Sequence, residues 1–148
     1  MKIFLGSDQS GVTYRDTIYE YLKSFNHEVE KIDDFEKFPD YPDVAKEVCR
    51  KVLATQDSKG ILICGTGMGM CLSANKIKGI RATLCHSVYA ALKSRSSNDA
   101  NILTLGALTT GIEDAKSIVE TWVKEYAINE GSKVKIEKIL EIENENFK

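Results

Sequence analysis

The sharpest chemical feature of the sequence is a glycine-rich run after an apolar segment, Gly60-Ile-Leu-Ile-Cys-Gly-Thr-Gly-Met-Gly69. Gly65, Gly67 and Gly69 stand at every second position, so the backbone could turn tightly and approach a ligand closely. Free amide groups at the start of the following helix would stabilise an anion or a developing oxyanion. The run has neither the Gly-Lys-Ser/Thr of a P-loop nor the spacing of a dinucleotide fingerprint, which argues against ATP and NAD.

Cys64 stands at the end of the apolar segment, directly before these glycines. Oriented amides and a helix terminus would favour its thiolate, which could act as a base or nucleophile at neutral pH. The alternative is a small side chain that fills the sheet edge, as most free cysteines do. The neighbouring glycine loop favours the chemical interpretation for Cys64, whereas Cys49, Cys71 and Cys85 are predicted to be core residues.

Short polar side chains near other strand ends are further candidates. Asp8 could bind hydroxyl groups or orient a donor, or it could cap a helix together with Ser10 and Gly11. Asn98 and Asp99 could contact a ligand or simply turn the chain, as Asn and Asp do in most loops. The residues alone leave these alternatives open.

Five apolar runs of strand length alternate with stretches that have apolar residues at three and four spacing. The alternation predicts an α/β fold with a parallel sheet and helices on both sides. In such a sheet, ligands bind beyond the carboxyl ends of the strands. The predicted strands are residues 2–5, 28–32, 60–63, 81–84 and 102–104, and the predicted helices are 12–25, 44–54, 68–77, 88–94 and 112–126.

The chain of 148 residues is long enough for one core, which we place in a domain over residues 1–127. A break at 128–131 precedes a basic and then acidic amphipathic stretch, predicted to be helical over 134–142. We assign residues 128–148 to this C-terminal helix. It is predicted either to pack on a partner subunit or to fold back on its own domain.

Composition excludes several classes of function. Twenty Lys and Arg residues against 22 Asp and Glu give a net charge of -2, which provides no basic excess for nucleic acid or anionic lipid. The apolar run at the N-terminus is too short for a signal peptide or a membrane span, so we expect a cytoplasmic protein. The four cysteines form no C-x-x-C pair, and His27 and His86 complete no zinc spacing, so free thiols are expected.

Taken together, the motifs resemble the type B ribose-5-phosphate isomerase and galactose-6-phosphate isomerase family. The resemblance covers nearly the whole chain and implies a Rossmann-like three-layer sandwich that forms dimers or tetramers and uses no metal or organic cofactor. It implies an aldose–ketose isomerase that converts ribose 5-phosphate to ribulose 5-phosphate through a cis-enediolate. The matching segments are Gly6-Ser-Asp8, Asp40-Tyr-Pro42, Gly60 to Gly69, Ala74-Asn-Lys76, Gly79-Ile-Arg-Ala82 and Ser94 to Leu103.

The resemblance also implies roles for individual residues. Cys64 would move a proton between C1 and C2 of the sugar, and Thr66 would assist ring opening. Amide groups of the three loop glycines, with Asn98 from the same site or from the neighbouring subunit, would hold the enediolate oxygens. The expected substrate-binding residues are Asp8, Gln9, Tyr41, Gly65, Gly67, Gly69, Ser97, Asp99 and Lys135.

Several positions depart from the pattern of the ribose-phosphate members. Gln9 and Ser97 replace histidines, the second of which is the ring-opening one. Leu108 replaces an arginine after the fifth strand. The phosphate-binding Gly-Gly-Arg-His-x-x-Arg stretch reads Glu130-Gly-Ser-Lys-Val-Lys135, so Gly131, Ser132 and Lys133 stand there and only lysines remain.

These departures leave alternatives to ribose 5-phosphate. One is the cysteine-bearing subunit of a galactose-6-phosphate isomerase, paired with an unlike chain, or an isomerase of another five- or six-carbon sugar. A second is a sugar-phosphate binding module without catalysis, although binding alone would not need a thiol. His86, predicted to follow the fourth strand, is a candidate for the ring-opening acid.

Overall fold

A computed structural model describes residues 1–147, in which strands and helices alternate along the chain. A 3-10 turn at Gln9–Gly11 precedes the first helix. The strands are β1 (Lys2–Ser7), β2 (Glu28–Ile32), β3 (Ser58–Cys64), β4 (Ala82–Leu84) and β5 (Ile102–Gly106). The helices are α1 (Val12–Ser24), α2 (Tyr41–Ala54), α3 (Met68–Ala74), α4 (Val88–Ser96), α5 (Ile112–Trp122) and α6 (Glu130–Asn146).

All five strands are parallel and lie in the order β2-β1-β3-β5-β4. The chain moves from β1 to one side for β2 and to the other side for β3, so the strand order reverses between β1 and β3. The loops that follow these two strands therefore flank the position where open parallel sheets bind ligands. The predicted α/β class with a five-stranded parallel sheet is confirmed.

Two hydrophobic layers cover the sheet, as the period of two along each strand requires. Ile61 and Ile63 of β3 face the layer formed by α1, α4 and α5, whose largest buried side chain is Trp122. Leu62 and Cys64 face the opposite layer, formed by α2 and α3. The alternation therefore places the Cys64 side chain on the α3 side of the sheet.

Several strands run further than hydrophobicity predicts. β1 reaches Ser7 because this residue pairs with Ile63, and β5 reaches Gly106 because that glycine pairs with Cys64. Ser and Gly carry no apolar signal, yet the ladder continues through them. Cys64 is consequently the last residue of β3.

Some predicted helix ends also differ. α3 ends at Ala74 rather than 77, since the Asn75 side chain instead donates to the Ala82 carbonyl (2.9 Å) and accepts from the Ala82 amide (2.8 Å). α5 ends at Trp122 rather than 126. α6 starts before the predicted 134, because the Asn129 side chain accepts from the Ser132 amide and caps it.

α6 is attached to the rest of the chain by few contacts. Only Ser132 and Ile136 are buried among the residues of this helix. Near its far end, Glu143 accepts a hydrogen bond from the Gly79 amide at 2.7 Å. Apolar side chains of α6 that remain exposed are Val134, Ile139 and Ile142.

Among residues 1–147, no helix is both long and apolar enough to cross a bilayer.

Gly60→Ala tests how closely α2 packs on β3. A β-carbon there would lie 2.8 Å from Val48 Cγ1 and 3.2 Å from Val52 Cγ2, and would also overlap the end of Ile102. Overpacking of this kind costs roughly 1–3 kcal/mol of unfolding free energy, measurable by urea denaturation. The control is Gly131→Ala in α6, where the added carbon meets only ordinary contacts. Equal stability of the two variants would contradict the packing described.

Candidate active site

The loop after β1 supplies a fixed carboxylate at the strand-order reversal. Asp8 Oδ1 accepts hydrogen bonds from the Ser10 hydroxyl (2.6 Å) and the Gly11 amide (3.2 Å). The Asp8 amide donates to the carbonyl of Ile63, which adjoins Cys64. Asp8 thus caps the 3-10 turn, which is one of the two roles considered from sequence, and it adjoins the end of β3. Its binding of hydroxyl groups stays a prediction.

Cys64 is held at the end of β3 with its thiol against the glycine loop. Its side chain is 6% exposed. The Gly67 amide donates to Cys64 Sγ at 3.1 Å. An amide donor favours negative charge on the sulfur, because the N–H dipole points at the charge.

The conformation of Gly67 makes this contact possible. Its φ is +76°, a left-handed backbone that glycine adopts without strain. A β-carbon at this position would lie 2.6 Å from Leu84 Cδ1 and 2.9 Å from the carbonyl carbon of Leu105. The position therefore requires glycine both for its backbone angles and for the space around it.

The glycine loop is fastened to the loop that follows β5. The Ala107 amide donates to the Cys64 carbonyl at 2.8 Å, and the Leu108 amide donates to the Gly65 carbonyl at 2.9 Å. Tyr14 of α1 ties the same β5–α5 loop down by donating to the Thr110 carbonyl. Burial raises the pKa of Tyr14 to about 12, so this donor persists through the neutral range.

The other side of the loop meets α2 and leaves amide groups available. The Tyr41 ring lies over Gly69, where a β-carbon would be 2.6 Å from the ring. Thr66 is exposed, and its hydroxyl accepts from the Met68 amide at 3.3 Å. The first helical hydrogen bond of α3 is donated by Cys71 to Gly67, so the amides of Gly69 and Met70 have no partner within the helix.

The remaining cysteines fit the expectation of core residues in two cases of three. Cys49 and Cys85 are buried, whereas Cys71 is only partly buried. Burial raises the pKa of the Cys49 thiol to about 12 and also raises the pKa of Cys85. These two thiols are therefore protonated and inert at neutral pH.

One chain does not bring Ser97, Asn98 and Asp99 to Cys64. They follow α4 and precede β5, and the Asn101 amide donates to the Arg81 carbonyl at the start of β4. Cys64 instead pairs with Gly106, at the other end of β5. Gly106 lies four residues after Ile102, the first residue of this strand, so about 13 Å of strand separates the loop that carries Asn98 from the edge with Cys64. Of the two alternatives for Asn98, a position in its own chain's site does not agree with this geometry.

Lys133 and Lys135 lie in the first two turns of α6. Lys133 Nζ pairs with Glu130 at 2.6 Å, and Lys135 is exposed to solvent. α6 reaches Gly79 at the amino edge of the sheet, opposite the glycine loop. Gln9 by contrast is exposed next to Asp8, on the same edge as Cys64.

Two arginines fix the loop that carries Asn98, a role that the sequence analysis did not predict. Arg81 Nη2 binds Asp99 Oδ2 at 2.8 Å, and Arg81 Nε donates to the Asp99 carbonyl. The buried Arg95 donates to the Ala100 carbonyl at 2.7 Å and lies 5.6 Å over the Trp122 ring. Asp99 has a φ of +48°. The i, i+4 spacing of Arg95 and Asp99 was the available signal.

A cavity lies at this amino edge. It has a volume of about 470 Å³ and is lined by residues of β4, Asn98 and the apolar side of α6, including Ile139 and Ile142. A smaller groove of about 350 Å³ runs past Leu108, between Ser10 and Ile112, and adjoins the glycine loop. Among residues 1–147, no three His, Cys, Asp or Glu side chains gather in a way that could hold a metal ion.

Comparison with known proteins shows the family of the chain. The sequence pattern of the family described as Ribose/Galactose Isomerase matches residues 3–139. Ribose-5-P isomerase B of Listeria innocua is 40% identical over 147 residues, which cover 99% of this chain and 99% of that protein. The chain belongs to the ribose/galactose isomerase family.

Other members of this family give the same result. The D-erythrulose-4-phosphate isomerase of Pectobacterium atrosepticum is 39% identical over 141 residues, covering 94% of this chain and 93% of that protein. The structure of Clostridium thermocellum ribose-5-phosphate isomerase B superposes with a TM-score of 0.91 at 40% identity, covering 98% of this chain and 99% of that one. As a family member, the chain is a sugar-phosphate isomerase that interconverts aldose and ketose.

Gly67→Ala should abolish isomerase activity because the loop could no longer keep its amide on Cys64. The positive φ and the overlap with Leu105 would both have to relax, at a cost of about 1–3 kcal/mol for the backbone alone. Initial rates and circular dichroism of the purified variant are the measurements.

The control is Gly79→Ala, which also has a positive φ, of +86°, but lies at the opposite edge of the sheet. We expect it to lose stability and to keep the kcat of the folded enzyme. If Gly67→Ala remains as active as Gly79→Ala, the loop geometry does not control the reaction.

Proposed function

We propose that Cys64 is the base of an aldose–ketose isomerisation of a sugar phosphate. The observation that carries the proposal is the hydrogen bond from the Gly67 amide to Cys64 Sγ at the carboxyl edge of β3. A thiolate held there lies beside the unpartnered amides of Gly69 and Met70. Base and anion stabiliser therefore adjoin each other, as proton transfer next to a carbonyl requires.

In the proposed reaction, the thiolate removes the proton from C2 of the open-chain aldose. The C2–H electrons form a C1=C2 double bond, and the carbonyl electrons move to O1, which gives a cis-enediol(ate). The same thiol then returns the proton to C1, while the O2 hydroxyl loses its proton and becomes the ketose carbonyl, and O1 gains a proton and becomes a hydroxyl. Loop amides stabilise the charged oxygens, and the Thr66 hydroxyl lies near enough to the loop to exchange a proton with them.

Ribose 5-phosphate, expected from the sequence, is one candidate substrate. The relative from Pectobacterium atrosepticum has a name that refers to erythrulose 4-phosphate, a four-carbon ketose, so a shorter sugar phosphate is a second candidate. A galactose 6-phosphate would be a third, with an unlike partner chain. Asp8 and Tyr41, on opposite sides of the glycine loop, are the proposed contacts for the sugar hydroxyls.

We propose that a second copy of the chain completes the site. The loop with Ser97, Asn98 and Asp99 precedes β5, at the edge of the sheet opposite its own Cys64. Lys133 and Lys135 lie in the first two turns of α6, and no contact described for residues 1–147 joins them to the glycine loop. In a two-fold dimer these residues would meet the partner's Cys64 and provide an amide and positive charge for the phosphate. Exposed apolar side chains beside the site, which a partner would cover, are Met68, Leu72, Val88, Tyr89 and Leu108.

Cys64→Ala should lower kcat by roughly 10²–10⁴-fold, the usual contribution of a general base. The measurement is conversion of ribose 5-phosphate and of erythrose 4-phosphate followed by NMR. The matched control is Cys71→Ala, since Cys71 is a half-buried thiol in the adjacent helix, which donates to the Ala82 carbonyl and accepts from the Asn75 side chain. A Cys64 variant as active as the Cys71 variant would refute the proposed base.

Subunit complementation tests the shared site. Cys64→Ala and Asn98→Ala chains should each be inactive, and a refolded equimolar mixture should recover about a quarter of the activity by random pairing, because half of the dimers gain one intact site. A mixture of Cys64→Ala with Gly67→Ala is the control, since both changes affect the same half-site. No recovery in the first mixture would contradict a contribution of Asn98 across the interface.

A further inference from the structure

We propose that this isomerase takes only the open-chain form of its substrate, and that its preferred substrates are four-carbon aldose phosphates, which have no ring form. This inference rests on the proposed function of Cys64. It concerns the step before isomerisation, in which a cyclic sugar must open to expose the aldehyde. The groups that the structure places around the glycine loop are the basis for it.

Ring opening needs two proton transfers. In ribose 5-phosphate, O4 closes on C1, so opening requires a donor for the ring oxygen and an acceptor for the proton of the O1 hydroxyl. In a four-carbon aldose 4-phosphate, O4 carries the phosphate, and closure through O3 would give a strained four-membered ring. Such a substrate is present as the aldehyde and its hydrate and needs no ring-opening group.

The side chain best suited to both proton transfers near neutral pH is imidazole. His27 lies in the turn between α1 and β2, at the amino edge of the sheet and away from Cys64. Burial lowers the pKa of His27, which disfavours its protonated form further. His86 follows the edge strand β4, two strands from β3, which is about 10 Å away, and its side chain is exposed to solvent.

The groups next to Cys64 can accept protons but are poor donors to a ring oxygen. Asp8 already accepts from Ser10 and Gly11 through one of its oxygens. Gln9 provides an amide and Thr66 a hydroxyl, and neither titrates near neutral pH. The structure therefore provides an acceptor at this edge of the sheet without a matched donor.

A second copy of the chain would not supply the missing donor. The loop that it would bring to the site carries the Ser97 hydroxyl and the Asn98 amide. Asp99, the carboxylate of that loop, is bound by both Arg81 and Arg95. The lysines at the start of α6 are assigned to the phosphate in the proposed dimer, and Lys133 is also paired with Glu130. The completed site would thus be equipped for proton transfer between C1 and C2 and not for opening a ring.

The kinetic consequence separates cyclic from acyclic substrates. A cyclic aldose would be consumed only as fast as its ring opens in solution, whatever the amount of enzyme. Ribulose 5-phosphate is an informative substrate to compare with ribose 5-phosphate, because its O5 carries the phosphate and it cannot close a five-membered ring. The two have the same number of carbons and the same charge, so a difference between them does not arise from chain length.

The experiment measures initial rates for erythrose 4-phosphate, ribulose 5-phosphate and ribose 5-phosphate over a wide range of enzyme concentrations. We expect the first two rates to rise in proportion to enzyme. We expect the ribose 5-phosphate rate to reach a ceiling at the spontaneous ring-opening rate, and kcat/KM to be highest for erythrose 4-phosphate. A ribose 5-phosphate rate that stays proportional to enzyme, or a kcat/KM that favours it, would overturn the proposal.

Two variants distinguish the possible failures. Cys64→Ala should remove activity on all three sugars; activity that survives, or wild-type enzyme inactive on every one, refutes the proposed function rather than this inference. His86→Ala should leave all three rates unchanged. If it instead imposes a ceiling on ribose 5-phosphate alone, His86 opens the ring and the inference is wrong.

Discussion

The parallel pairing of β3 between β1 and β5 is the constraint on which the site depends. Both neighbours stay in register up to the last residues, so Ser7, Cys64 and Gly106 end their strands together. The polar loops that follow must then share one edge of the sheet. Because side chains alternate across a strand, Cys64 faces α3, and the turn into α3 places the Gly67 amide on its sulfur. The contact between the Gly67 amide and the Cys64 sulfur therefore depends on the pairing of strands that are distant in the sequence.

Beside these strand ends, the glycines that carry no side chain are as important as the residues that pack around them. Gly67, Gly69 and Gly106 are surrounded by Leu105, Tyr41 and Thr66 at distances that leave no room for a β-carbon. The backbone thus presents its amides directly, with no side chain between them and a ligand. The same close packing fixes the loop against β5 and α2, so the donors are already oriented before a substrate arrives.

The direction of the chain explains why one copy holds only part of the expected site. A helix that follows a parallel strand returns to the amino edge, so residues directly before β5 must lie opposite those directly after β3. Asn98 obeys this rule, and α6 reaches the same edge through the contact of Glu143 with the Gly79 amide. In the proposed dimer, the partner would cover the exposed apolar residues of α6 and α3.

Much of the fold and part of the site could be predicted from the sequence. Apolar runs and the hydrophobic period predicted the five strands and six α-helices, and the glycine spacing selected Cys64 as a candidate, because both signals depend on neighbours along the chain. The Asn75 bridge to Ala82 and the binding of Asp99 by Arg81 could not be predicted, because they join residues that meet only after the sheet has formed. The position of Asn98 at the amino edge follows from the direction in which α4 runs back along the sheet. It could be inferred only once the order and direction of the strands were known.

Solvent hydrogen exchange tests the central claim about Cys64 most directly. Ribulose 5-phosphate or erythrulose 4-phosphate in deuterated water, followed by proton NMR, reports removal of a proton from C1 without any need for ring opening. We expect stereospecific replacement of a single C1 hydrogen by deuterium with the wild-type enzyme, and loss of that exchange in Cys64→Ala with an intact circular dichroism spectrum. Exchange at the wild-type rate in the folded Cys64→Ala variant would contradict it.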